Sequence, residues 1–165
     1  MKGIRVINKA QTGIAPGSAG WKRDYQFVDI IESIADLIGG LYWLLDSVVP
    51  RHTAADGATF DEYDTRYHDL VLWETGHLRL GARDFVPLFA KYIDGDWDQI
   101  AGVRELPRVN DINFINRELV TSKAVIFFRC IDALYWEAYS PDLALLESLR
   151  EAFAATESCD LEMPY

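Results

Sequence analysis

Cysteine, histidine and long apolar runs are all scarce in this chain of 165 residues, and each scarcity removes a class of function. The two cysteines are Cys130, inside an apolar run, and Cys159, near the end; that spacing supports neither a disulfide framework nor a zinc site, so two reduced thiols are expected. His52, His68 and His77 are the three histidines, and no two are spaced as a metal-binding pair on a helix or strand. The longest apolar region, Ile34 to Val49, is interrupted by Asp36, Gly39, Gly40 and Asp46. No apolar core follows the N-terminal lysines, so neither a membrane span nor a signal peptide is expected, and the expected location is cytoplasmic. There is no G-x-S-x-G elbow and no phosphate-cradling glycine loop. Basic stripes interleaved with aromatics are missing from the body of the chain, which argues against nucleic-acid binding. No repeat, low-complexity block or linker divides the sequence.

What is present describes an ordered globule. Half the residues are apolar and 13% aromatic, and a chain of this length buries roughly 70% of its unfolded surface as one domain spanning residues 1–165. The formal charge is −10 and unevenly placed. Residues 1–23 hold Lys2, Arg5, Lys9, Lys22 and Arg23 and no acid, giving +5, while the remainder carries −15. Such a field repels nucleic acid and anionic membrane and steers basic partners toward the protein.

The densest apolar stretch, Ala124 to Phe153, organises the reading. Val125 to Phe128 and Leu134 to Tyr139 read as two strands with Asp132 in the turn. Leu143, Leu145, Leu146, Leu149 and Phe153 then recur at helical spacing, with Ser140 as N-cap and Pro141 opening the helix. Ile112, Phe114 and Ile115 suggest a preceding strand, completing a three-stranded antiparallel meander on which the last helix packs. Upstream the periodicity is read as mainly helical. Phe27, Ile30, Ile31, Ile34, Leu37 and Ile38 fit one helix; Leu41 to Val49 is favoured as another over a buried strand. Thr59-Phe60-Asp61-Glu62 forms a capping box before Tyr63, Tyr67, Leu70 and Val71. There, helix is favoured over a hairpin across Tyr67 to Leu80. Asp84 caps a helix ending at Asp94-Gly95, and Trp97 to Val103 forms a short amphipathic piece. Residues 1–20 form a basic arm, strand-forming or flexible, and 157–165 an acidic tail. The predicted class is α+β: a helical N-terminal half, then the meander and its helix.

The sharpest candidate for chemistry is Asp94, Asp96 and Asp98 with Glu105, acids at the first, third, fifth and twelfth places of a calcium loop. Gln99 occupies the sixth place, where that loop turns on glycine, so no metal or other cofactor is expected. An acidic patch around Trp97, suited to a basic partner, fits better. His68 and Asp69 are adjacent and point to different helix faces. Cys130 reads as core, where a thiol is a poor nucleophile, and no catalytic residue is assigned. Glu137 lies between Trp136 and Tyr139 on a strand, and alternation leaves open whether it faces the interior or water.

At FFRCIDALYWEAYSPDLALLESLREAF, Phe127 to Phe153, the chain resembles the closing hairpin and helix of some small bacterial immunity proteins of polymorphic toxin systems. The resemblance implies neutralisation of a toxin domain, often a nuclease, by occlusion. The expected function is therefore inhibition of a basic protein partner through two acidic patches: Asp94, Asp96, Trp97 and Asp98, then Asp61, Glu62 and Asp64. The alternatives are a small enzyme with a carboxylate and histidine site in a helix–sheet cleft, and a non-catalytic structural subunit.

Overall fold

The computed structural model describes residues 1–7, 24–46, 77–80, 99–106, 115–131 and 134–162, with 45, 46 and 77–80 described by backbone alone. Among the described residues, seven strands form one antiparallel sheet: β1 (Lys2–Val6), β2 (Tyr42–Asp46), β3 (His77–Leu80), β4 (Gln99–Val103), β5 (Ala124–Ile131), β6 (Tyr135–Tyr139) and β7 (Thr156–Asp160). Their order is β3-β2-β4-β5-β6-β1-β7, so the N-terminal strand lies between two C-terminal ones. Three helices accompany them: α1 (Phe27–Ser33), α2 (Arg117–Ser122) and α3 (Leu143–Ala152).

Strand alternation sorts the core into two clusters. On one face, Ile4, Val6, Trp43, Ile100, Ile126, Phe128, Cys130, Trp136 and Ala138 meet Phe27, Ile30 and Ile31 of α1 and Leu145, Leu146 and Leu149 of α3. Phe27 sits between Phe128 and Trp136, at ring-centroid distances of 5.2 and 4.4 Å. On the opposite face, Leu44, Ala101, Phe127 and Tyr139 pack with Leu119 and Val120 of α2. The Tyr25 hydroxyl, buried ahead of α1, donates to the Val6 carbonyl at 2.5 Å and accepts from the Trp136 amide at 3.3 Å, tying β1 to β6.

The closing hairpin and helix stand where the apolar runs place them, but the predicted architecture does not hold. The chain builds a wide antiparallel sheet with short helices, rather than a helical N-terminal half followed by a three-stranded meander. Leu41 to Val49, favoured as helix, contains strand β2, with Trp43 and Leu44 each buried in a different cluster. A strand covered on both faces reads as a continuous apolar run without period, and the choice between strand and helix is then lost. Across Tyr67 to Leu80, where helix is favoured over a hairpin, the described residues His77–Leu80 are strand β3 paired with β2. The piece from Trp97 to Val103 contains strand β4. The first helix is shorter than its periodicity: it stops at Ser33, Ile34 and Ile38 stay buried in a following turn, and Gly40 adopts φ 81° just before β2. The meander's first strand is also displaced. Ile115 leads directly into α2, capped by Asn116, whose side chain accepts from the Leu119 amide at 2.9 Å; Ile112 and Phe114 lie outside the described residues. Asp142, not Ser140, caps α3, accepting from the Ala144 amide at 2.9 Å. Ser140 instead donates to the Val125 carbonyl and accepts from the Asp142 amide, bracing the turn into the helix. Thr156–Asp160, overlapping the segment read as an acidic tail, is edge strand β7.

Candidate functional site: a charged row across the sheet

The strand registers align one polar residue from every strand. His77 pairs with Asp46, Asp46 with Gln99, Gln99 with Arg129, Arg129 with Glu137, Glu137 with Arg5, and Arg5 with Glu157. Residues paired directly across antiparallel strands share a face. This row therefore lies beside the Leu44, Ala101, Phe127 and Tyr139 row that α2 covers.

Glu137 is its centre. Its carboxylate is 2% exposed, the value that decides the matter left open by alternation: this acid faces the interior. Burying an isolated carboxylate is prohibitive unless it is paired and hydrogen-bonded, and here both oxygens are occupied. Oε1 accepts from Arg5 Nη2 at 2.8 Å and Nε at 3.2 Å. Oε2 accepts from Arg129 Nε and from the Tyr139 hydroxyl, each at 2.6 Å. The arginines are themselves held. Arg129 donates further to the Tyr139 oxygen and the Glu162 carbonyl. Arg5 lies over the Tyr135 ring, 4.3 Å from its centroid, with Glu157 3.7 Å from Nη1. Tyr139 crosses opposite Gly3, where a Cβ would come within 2.3 Å of the ring; only glycine lets the ring lie against β1.

These contacts fix the protonation states. Burial pushes the Glu137 carboxyl up, but hydrogen bonds from Tyr139, Arg5 and Arg129 outweigh it and hold the group below the ordinary carboxylate range. The Tyr139 hydroxyl is pushed well up, first by burial and then by its bond to Glu137. Burial also raises the Cys159 thiol, overcoming the opposing hydrogen bond from Tyr139. An ionised, fully bonded carboxylate makes a weak base, and a raised phenol and thiol make weak nucleophiles. The cluster is suited to cross-bracing β5, β6, β1 and β7, not to proton transfer. Gln99 Oε1, further along the row, is buried without a hydrogen-bond partner among the described residues.

The acids proposed from sequence as partner contacts, Asp94, Asp96, Trp97 and Asp98 with Asp61, Glu62 and Asp64, all lie outside the described residues, as do His52 and His68. Gln99–Val103, the sixth to tenth places of the calcium-like stretch, run as strand β4 paired on both sides and are not wound around an ion. Among the described residues no cluster of His, Cys, Asp and Glu is arranged to hold a metal, and no helix is long and apolar enough to cross a membrane. Cys130 is buried core and Cys159 half-buried in β7. Sequence reasoning missed Arg5, Arg129, Tyr139 and Glu157 as a unit with Glu137. A signal existed: Arg129 and Glu137 interrupt two apolar strands at equal distances from the hairpin's Ile131–Tyr135 pair.

Among the described residues, open recesses flank the sheet. One, of about 300 Å³, runs between α3 and the β1–β7 edge, past Leu143, Leu146, Glu147 and Asp160. The other, of about 330 Å³, lies by Asp24, Tyr25, Asp29 and Phe153. No protein-family model, curated protein or solved structure matches the chain.

Proposed function

We propose that the protein is an acidic binding protein of the bacterial cytoplasm that inhibits a basic protein partner, most concretely an immunity protein that occludes a toxin domain such as a nuclease. The observation that carries this reading is the partition of charge. The buried acid, Glu137, is compensated by two arginines, whereas Glu157, Asp160 and Glu162 stand on the exposed edge of a chain whose residues beyond 23 carry −15. An enzyme acting on a small neutral substrate gains little from such a field, while a partner of opposite charge gains encounter rate. The two N-terminal bases among the described residues are both engaged, Arg5 with Glu137 and Lys2 with Asp160 at 2.8 Å, so the basic arm offers less free cationic surface than its composition implies.

The test is affinity capture from the native cell at low and high salt, followed by binding kinetics on the purified pair. Asp94→Lys with Asp96→Lys slows association steeply at low salt and much less at high salt, because rim charges act through a screened field. Trp97→Ala speeds dissociation at a cost of about 2 kcal/mol or more, as for a buried interface anchor. Binding insensitive to salt and to these substitutions, or turnover of a small molecule with no protein partner captured, overturns the reading.

A further inference from the structure

Resting on the reading of a basic protein partner, we infer that the free edge of β7 is a strand-addition site that receives an extended segment of that partner, one alternating basic and apolar side chains. Among the described residues β7 pairs only with β1, and its outer side is the end of the sheet. The register identifies the backbone groups left over. Ile7 donates to the Ala155 carbonyl and Leu161 to the Met1 carbonyl, both at 3.0 Å. Because bonding and non-bonding pairs alternate along an antiparallel ladder, the odd-numbered residues of β7 turn their N–H and C=O groups toward β1. Thr156, Ser158 and Asp160 therefore present theirs outward, in the pattern an added strand needs.

The surroundings choose the occupant. Among the described residues nothing covers the edge: the Glu157 and Asp160 side chains are 62% and 64% exposed. On the α3 side of the sheet the recess beside β7 is lined by Leu143 and Leu146 together with Lys2, Glu147, Arg150 and Asp160; Leu143 is 66% exposed, and it is the apolar surface offered to alternate side chains of an added strand. On the other side β7 presents Glu157 and the half-buried Cys159, and the exposed one is Glu157, a carboxylate whose cross-strand complement is lysine or arginine. A second copy of this chain is disfavoured by the same groups, because pairing β7 with itself gathers the Glu157, Asp160 and Glu162 carboxylates of both copies along one short seam.

The probe is a short acetylated and amidated peptide alternating lysine and valine, titrated at low salt into the isotope-labelled full chain and followed by amide shifts and hydrogen exchange. Saturable binding that slows exchange at Thr156, Ser158 and Asp160 is expected. Affinity falls about tenfold or more for the peptide N-methylated at alternate amides, and for the peptide with glutamate in place of lysine. Ser158→Pro removes an outward N–H while leaving every β1–β7 bond, and proline is tolerated at such a position; it melts near the parent and loses the peptide to the same degree. If that variant fails to fold, the N-methylated peptide on the parent chain decides alone. Equal binding of the lysine peptide before and after N-methylation overturns edge addition while leaving a basic partner intact. No binding of the lysine peptide to the parent chain also overturns it, and capture of the native partner is then read separately. A parent dimer that Ser158→Pro converts to monomer assigns the edge to a second copy and overturns the inference.

Discussion

Removing the Glu137 carboxylate is the most demanding perturbation of the charged row. In Glu137→Ala, Arg5 and Arg129 lose their shared counter-ion and the Tyr139 hydroxyl loses its acceptor. Breaking a buried ion pair from one side typically costs about 3–5 kcal/mol, because the remaining charge stays buried. Both guanidinium groups reach some solvent here, with side-chain exposures of 33% and 22%, and each keeps another partner, which places the expected loss near the lower limit, about 3 kcal/mol. For a chain of this size that is a melting-temperature drop of roughly 6–12 °C. Glu137→Gln keeps the shape and one acceptor and loses less. The decisive measurement is a double-mutant cycle by urea denaturation on Glu137→Ala and Arg129→Ala. The double variant is expected to lose less than the two singles together, with a coupling of about 1 kcal/mol or more. Strict additivity, or a Glu137→Ala variant that melts with the parent, refutes the claim that this row is a coupled brace.

Stability also carries a pH signature. Glu137 is held below its unfolded value of about 4.3, so its contribution is present above that pH and is lost as pH falls through the lower folded value; Glu137→Gln flattens this acid limb of the melting profile. Tyr139 is raised above its unfolded value of about 10, so its contribution is intact below that pH and declines as pH rises toward the higher folded value, a limb that Tyr139→Phe removes. Gly3→Ala is expected to cost about 1–3 kcal/mol, since the new Cβ would fall 2.3 Å from the Tyr139 ring and 2.7 Å from the Ala138 carbonyl. Gly39→Ala, whose Cβ meets nothing within 4 Å, is the control and melts with the parent.

Legibility of the sequence followed local order. The β5–β6 hairpin and α3 were readable because their signals are short-range: a β-branched and aromatic run, a turn, then leucines at helical spacing. Strand β1 was readable from Ile4 and Val6. What failed was β2, whose Tyr42-Trp43-Leu44-Leu45 run carries no period because both its faces are covered, and β3, whose alternation at Leu78 and Leu80 was outvoted by the helical spacing ahead of it. The placement of β1 between β6 and β7 depends on contacts between opposite ends of the chain, for which one sequence offers no local mark. The site shows the same division. Glu137 stood out as an acid among aromatics, and hairpin symmetry could have paired it with Arg129. Arg5 comes from a strand 132 residues away and was invisible as a partner.

Charge in this protein therefore does two jobs that meet at one residue. Arg5, Arg129, Glu137 and Glu157 form a set of two bases and two acids, neutral as a group, so the brace contributes almost nothing to the outward field, which comes from the remaining surface acids. Exposed acids away from the row can accordingly be reversed without loosening the sheet, since exposed ion pairs contribute little to stability. Glu157 is the exception: it lies 3.7 Å from Arg5 within the row, yet it is mostly exposed beside the outward edge of β7. A cationic strand arriving at that edge competes with Arg5 for the Glu157 carboxylate. Arg5 retains its two bonds to Glu137, so it can release Glu157 without being left unpaired. The buried pair thereby leaves the edge acid available to a partner while the sheet stays braced.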